Sequence, residues 1–187
     1  MTLQEYLQLI RSQLTETHGK PLTWFDESEA IKHHRPIDQG WTVLEILEHI
    51  SLTSHFLLLL IDKGADKALC KASQHSEKEL PPIPDDSLER LHPIGWHKSF
   101  PWIWPEHMEP SGQLKETAIK DTLTAQFNRC IHQLDQLKNG EGLLHKTKMS
   151  VHGLGKINVY EYIYFLSKHA ERHIGQMEEN KRESKSK

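Results

Sequence analysis

The chain has 187 residues, enough for one domain with a buried core, and 36% of them are hydrophobic against 26% charged. A net charge of −3 with no basic stripe argues against nucleic acid as a partner, because phosphate binding needs a positive surface. The longest apolar run, Phe56 to Ile61, falls far short of the ~20 residues of a membrane span, and the start lacks the pattern of a signal peptide, so neither is expected. Cys70 and Cys130 form no redox or metal spacing, which leaves a disulfide framework unexpected and a cytoplasmic location as the default.

Four stretches carry helical periodicity and none carries sustained strand alternation. The first covers about residues 2–17, with Leu3, Tyr6, Leu7, Ile10 and Leu14 on one face. The second starts at Thr42, where Thr42-Val-Leu-Glu45 reads as a capping box, and runs to about Lys63 with Gly64 as its stop. Its apolar side is Val43, Ile46, Ile50, Thr53, Leu57 and Ile61.

The third covers about 113–138, where Ile119, Leu123, Phe127, Cys130, Leu134 and Leu137 recur at steps of four and three. The fourth covers about 158–180 behind Asn158 as N-cap, with Tyr160, Ile163, Ser167, Ala170, Ile174 and Met177 as its stripe. Such faces must bury against one another, so the expected fold is all-α, a four-helix bundle. The links, about 18–41, 64–112 and 139–157, are long enough for crossover connections. One domain over residues 1–180 is expected, followed by a charged, disordered tail at 181–187.

The middle link holds seven of the nine prolines and three of the five tryptophans, Trp96, Trp102 and Trp104. Long links of this kind are usually functional or disordered, and three tryptophans argue against disorder. The segment is expected to pack over one end of the bundle, as a pocket wall, a dimer contact or plain core cover.

Fourteen histidines are the compositional oddity. Six of them, His33, His34, His75, His92, His97 and His107, fall in links and read as solvated polar residues. His169 and His173 are four apart on the fourth helix, so both imidazoles stand on one side, a turn apart. On a helical wheel they sit beside Tyr162 and Leu166 and away from Lys168 and Arg172, facing the bundle. His49, between Ile46 and Thr53 on the second helix, also faces inward. A pair from one helix and a single histidine from another form one side of a metal site and leave coordination positions open.

Taken singly, a core histidine or a decorative pair remains a fair reading of each. Two signatures are missing. His169-Ala-Glu-Arg-His173 is not HExxH, and the residues three before His49, His169 and His173 are Ile46, Leu166 and Ala170, so the Glu-x-x-His of a di-iron bundle is absent. One ion is favoured over two.

The stretch Trp41-Thr-Val-Leu-Glu-Ile-Leu-Glu-His49-Ile resembles the second helix of DinB-like proteins. His152-Gly-Leu-Gly155, Ile157-Asn-Val-Tyr-Glu161 and Phe165-Leu-Ser-Lys-His169-Ala-Glu-Arg-His173-Ile-Gly-Gln176 resemble that family's last helix and the loop before it. Gly153 departs from the commonest loop motif, in which a Pro follows the His.

The resemblance implies a four-helix bundle with a long crossover, often a homodimer, and one divalent metal at one end held by His49, His169 and His173. The metal would be zinc or nickel, with iron and manganese also known in the family. Some relatives are metal-dependent thiol S-transferases or isomerases that use bacillithiol, mycothiol or glutathione; many have no assigned activity.

Three functional readings follow. In the first the protein is a metal-dependent enzyme, a thiol S-transferase acting on small electrophiles with a low-molecular-weight thiol as co-substrate. The second is a metal-dependent hydrolase, for which Glu45 is the one candidate base, although it reads better as the capping-box carboxylate. In the third the bundle binds a metal or ligand without catalysis. A small-molecule substrate, and neither nucleic acid nor membrane, is the expected partner.

Overall fold

The computed structural model describes residues 1–74, 80–101 and 105–186. Four long helices dominate: α1 (Leu3–Thr23), α3 (Val43–Gln74), α4 (Glu116–Gln136) and α5 (Val159–Lys185), with a single-turn α2 (Glu29–Lys32) after the first. The long helices pack in a ring ordered α1–α5–α3–α4.

Side-chain pairs fix their directions. Tyr6 meets Tyr160, and Trp24 lies under Lys181, so α1 and α5 run parallel. Ser51 accepts from Gln126 and Asp62 from Gln133, so α3 and α4 are also parallel, joined by the long crossover. The bundle is therefore all-α with a crossover connection, as the link lengths predict.

Local chemistry starts three of the helices. Thr2 and Glu5 exchange bonds at the head of α1, Thr42 and Glu45 at the head of α3, and Asn158 and Glu161 at the head of α5. Each capping box satisfies donors that the first helical turn would leave unbonded.

The core is the union of the predicted stripes. Tyr6, Ile10, Leu57, Ile61, Cys130, Leu134, Tyr160 and Ile163 form one end, and Val43, Ile46, Ile50, Ile119, Leu123 and Met177 the other. Full burial of each large apolar side chain contributes roughly 1.5–3 kcal/mol before the entropy of ordering it.

The structure moves three helix ends outward from the sequence expectation. α1 continues through Pro21 to Thr23 because Leu14, Thr17 and Pro21 extend its buried stripe. α3 passes straight through Gly64, because there the glycine permits close approach rather than a cap. A β-carbon at that position would stand 3.2 Å from Val159 Cγ2, and Ala65 and Ala68 beyond it are buried. α5 runs on to Lys185, so residues 181–185 are helical where a disordered tail was expected. Lys181 pairs with Glu27, and Glu183 with His34, which holds this end against the α1–α2 corner.

Two short strands were not expected from the sequence. β1 (Lys146–Met149) and β2 (Gly155–Asn158) pair antiparallel, Lys146 opposite Asn158 and Met149 opposite Gly155. Four residues are too few for alternation to be read, and a lone hairpin is marginal in water. Here Met149 and Ile157 bury into the bundle and hold it in place. The turn uses left-handed backbone at His152, Gly153 and Gly155.

α3 is long and apolar enough to cross a membrane, with a mean hydropathy of 1.5 over its best window, which the six-residue apolar run did not suggest; 56% of that window is buried inside the bundle.

The middle link is partly core. Leu88, Leu91 and Ile94, the last two on a 3-10 turn over Glu89–Gly95, pack against α5. Trp96 is exposed, while Trp102 and Trp104 lie outside the described residues, as does His75.

Because this link covers α5, that helix is buried nearly all round in its first half, and Lys168 and Arg172 are not the solvent-facing pair that the helical wheel gives. Arg172 donates to the carbonyls of Trp96 and Phe100 and to Ser99 Oγ, and Lys168 pairs with Glu171.

Candidate metal centre

His49 on α3 and His169 and His173 on α5 come together between the two helices, 3%, 1% and 7% exposed. One nitrogen from each lies within 4.8 Å of the others. His169 and His173, a helical turn apart, approach to 3.2 Å between their Nε2 atoms, and their ring centroids are 4.5 Å apart. The His49 ring centroid is 5.3 Å from that of His169 and 4.8 Å from that of His173, and the Trp41 indole packs against it at 4.6 Å.

Two hydrogen bonds orient the rings. His49 Nδ1 is 2.7 Å from the Met108 carbonyl, which can only accept, so Nδ1 carries the proton and Nε2 is left with its lone pair. His173 Nδ1 is 2.8 Å from Gln176 Oε1, one turn on, with the same consequence.

Met108 is itself held in place from α3. Buried Glu48 accepts from Ser111 N at 2.8 Å, from Ser111 Oγ at 2.7 Å and from Gly112 N at 2.9 Å, clamping the segment that carries the Met108 carbonyl.

Electrostatics favour neutral rings. Burial drives His169 well below the usual histidine range, with His173 and His49 adding to the effect, and takes His173 down to about 3. Burial also lowers His49, against the opposing pull of the Met108 carbonyl. Neutral imidazole is the form that ligates a metal.

The donor set fits one ion. Two nitrogens each ~2.0–2.1 Å from a common ion stand roughly 2.8–3.0 Å apart in octahedral and about 3.3–3.4 Å in tetrahedral geometry, limits between which the 3.2 Å of His169 and His173 falls. An all-imidazole set suits zinc, nickel, copper or iron rather than magnesium or calcium. A second group, Glu29, His33 and Glu116, carries no such reading, because the Lys32 ammonium already pairs with both carboxylates.

Two cavities open beside the histidines, and His49 lines both. The larger, about 570 Å³, is bordered by Trp41, His97, Phe100, Arg172, His173 and Gln176. The smaller, about 220 Å³, is bordered by His49, His169 and a mainly apolar wall from α3, α5 and the hairpin. The middle link thus acts as a pocket wall on both sides, through residues 97–101 and through Pro105 and Met108. Neither lining contains an Asp or Glu among the described residues.

Some of the surroundings were invisible to sequence reasoning. Glu48 and Met108 gave no signal, because their partners are far away in the chain. His97, read as a solvated link residue, instead lines the larger cavity, with Nε2 2.9 Å from Glu179 Oε2. Gln176 stood in the quoted motif, but its bond to His173 is legible only as a three-residue helical spacing. Glu45 bonds Thr42 N and Arg35 and does not line either cavity. Tyr162 lines the smaller cavity and donates to the Lys148 carbonyl.

No curated protein and no solved structure matches the chain. The family model of the DinB superfamily matches residues 6–177, a span that takes in most of all four long helices and the three histidines. The chain belongs to the DinB superfamily.

Proposed function

We propose that this protein is a metal-dependent enzyme in which His49, His169 and His173 hold one divalent ion, zinc or nickel foremost, and that it transfers a small thiol to an electrophile. The observation that carries the reading is the convergence of three buried, neutral imidazoles on a point bordered by two cavities. A structural histidine cluster would have no need of open space on two sides.

The ion, when bound, would stabilise a thiol as its thiolate. The chain's own residues supply the rest. Met108 and Gln176 hold the ligand rings, and Trp41 shields His49 from water. His97, backed by Glu179, stands in the same cavity as His173 and is suited to take up the thiol proton.

Hydrolysis is the second reading, and the His97–Glu179 pair is what favours it, as a base for water. The thiol reading ranks higher because it asks less of a base in linings that lack carboxylates. A homodimer and a cytoplasmic setting accompany the proposal.

The test is elemental analysis of wild type and His173→Ala, both purified without chelator, followed by conjugation assays with bacillithiol, mycothiol and glutathione against 1-chloro-2,4-dinitrobenzene. Near-stoichiometric metal lost in the variant, with metal-dependent conjugation by one thiol, supports the proposal. Wild type that stays metal-free when offered zinc, nickel and manganese removes it. Bound metal without conjugation removes the transferase and leaves the hydrolase and the non-catalytic metal-binding bundle.

A further inference from the structure

The smaller cavity beside the histidines has a composition that points to a particular kind of ligand. At about 220 Å³ it far exceeds the ~10–15 Å³ that one water needs. It opens to the surface past Leu60, Lys148 and Ser150, all exposed, and so is reachable from solvent. Its wall is mainly apolar, with Leu57, Leu60, Met108, Met149, Val151 and Phe165, and it also takes in the exposed hairpin residues Lys148 and Ser150. Leu60, 38% exposed, carries the apolar wall out to the surface.

Apart from the histidines, Tyr162 and the exposed Lys148 and Ser150, the lining holds one further polar residue, and that one is buried. Thr53 is 5% exposed, lies one helical turn beyond His49 on the same face of α3, and its Oγ1 has no hydrogen-bond partner. A buried hydroxyl without a partner is uncommon and destabilising if nothing ever meets it. The phenol of Tyr162, by contrast, is already committed to the Lys148 carbonyl and stiffens the wall.

We infer that this chamber binds a small aromatic or aliphatic molecule carrying one hydrogen-bonding group, with that group at Thr53 and the apolar body among the methionines. Its place against His49 and His169 makes it the seat of the electrophilic co-substrate. The larger cavity, with His97 and Arg172, is left for the polar thiol. The assignment as co-substrate site rests on the metal-enzyme reading above; the binding itself does not.

The chain's four methionines allow a direct test. Met108 and Met149 line the chamber, whereas Met177 is in the opposite core cluster and Met1 is exposed, so the last two are internal controls. Full-length protein labelled with [ε-¹³C]methionine is titrated with p-cresol and, separately, with toluene, metal-free and zinc-loaded.

Saturable shifts of the Met108 and Met149 methyls, with Met177 and Met1 unmoved, are expected in both metal states. p-Cresol should bind several-fold tighter than toluene, and Thr53→Val should remove that difference. Val151→Trp should fill the space and weaken p-cresol at least tenfold while leaving metal content unchanged. If that variant does not fold, Leu60→Arg at the mouth serves in its place.

Absence of saturable shifts at Met108 and Met149, or equal shifts at all four methyls, overturns the inference. Equal affinity of p-cresol and toluene in wild type overturns the role of Thr53. Failure to bind zinc with the methyl shifts intact strikes the metal reading and leaves the chamber standing.

Discussion

Glu48 and His49 are neighbours in sequence but work on the same distant segment from two directions: Glu48 grips Ser111 and Gly112, and His49 donates to Met108 at 2.7 Å. The carbonyl that sets the His49 tautomer is thereby fixed by the residue preceding that histidine. Partners of this kind behind a metal-ligating histidine typically contribute 10–100-fold to metal affinity.

Glu48→Gln should therefore weaken zinc binding by about tenfold or more, because its amide nitrogen meets a backbone donor where a carboxylate oxygen accepted. Competition titration against a chromophoric chelator measures this. Stability should fall by about 1–3 kcal/mol in parallel. Unchanged zinc affinity in a folded variant would show that the clamp serves the loop alone.

Gln176→Leu removes the acceptor that fixes His173 Nδ1 as a donor, and zinc affinity should drop by about tenfold. Gln176→Glu restores an acceptor and should recover most of the loss. A merely structural role for Gln176 would show in melting temperature without this recovery of affinity.

The metal-free protein should lose stability as the pH falls from about 6.5 toward 3. His173, at about 3 in the folded state against 6.5 unfolded, stays neutral while the unfolded chain takes up a proton. His169 is displaced in the same direction. The unfolded state thus binds more protons through this window, so stability rises with pH, by up to ~1.4 kcal/mol per pH unit for each histidine. Denaturant midpoints of the apoprotein between pH 7.5 and 5 test it, and His169→Gln/His173→Gln should flatten the slope.

Gly153 has φ of +69°, a value closed to proline, whose ring holds φ near −65°. Gly153→Pro should open the β1–β2 turn and lower the unfolding free energy by about 1–3 kcal/mol. Thermal melts measure that loss. A variant as stable as wild type would mean that this turn readily adopts a second conformation.

What the sequence determined by itself is whatever depends on near neighbours. The stripes Ile46–Ile50–Leu57–Ile61 and Ile119–Leu123–Cys130–Leu134 are buried as their periodicity requires, and Thr42–Glu45 and Asn158–Glu161 cap helices as their spacing requires. The pairing of His169 with His173 is likewise local, since a four-residue step on a helix leaves little choice. His49 was legible because it sits on the inward stripe of α3, and the fold brings all three named histidines together.

Tertiary structure alone decided the rest, because it turns on contacts between residues far apart in the chain. Gly64 is a stop signal until Val159 is packed against it, and Lys168 and Arg172 face water until the 88–100 segment is laid over α5. No local pattern ties Glu48 to Ser111, His49 to Met108 or His97 to the cavity of His173. A period of 3.6 residues fixes which face of a helix is buried, but not which distant loop comes to cover it.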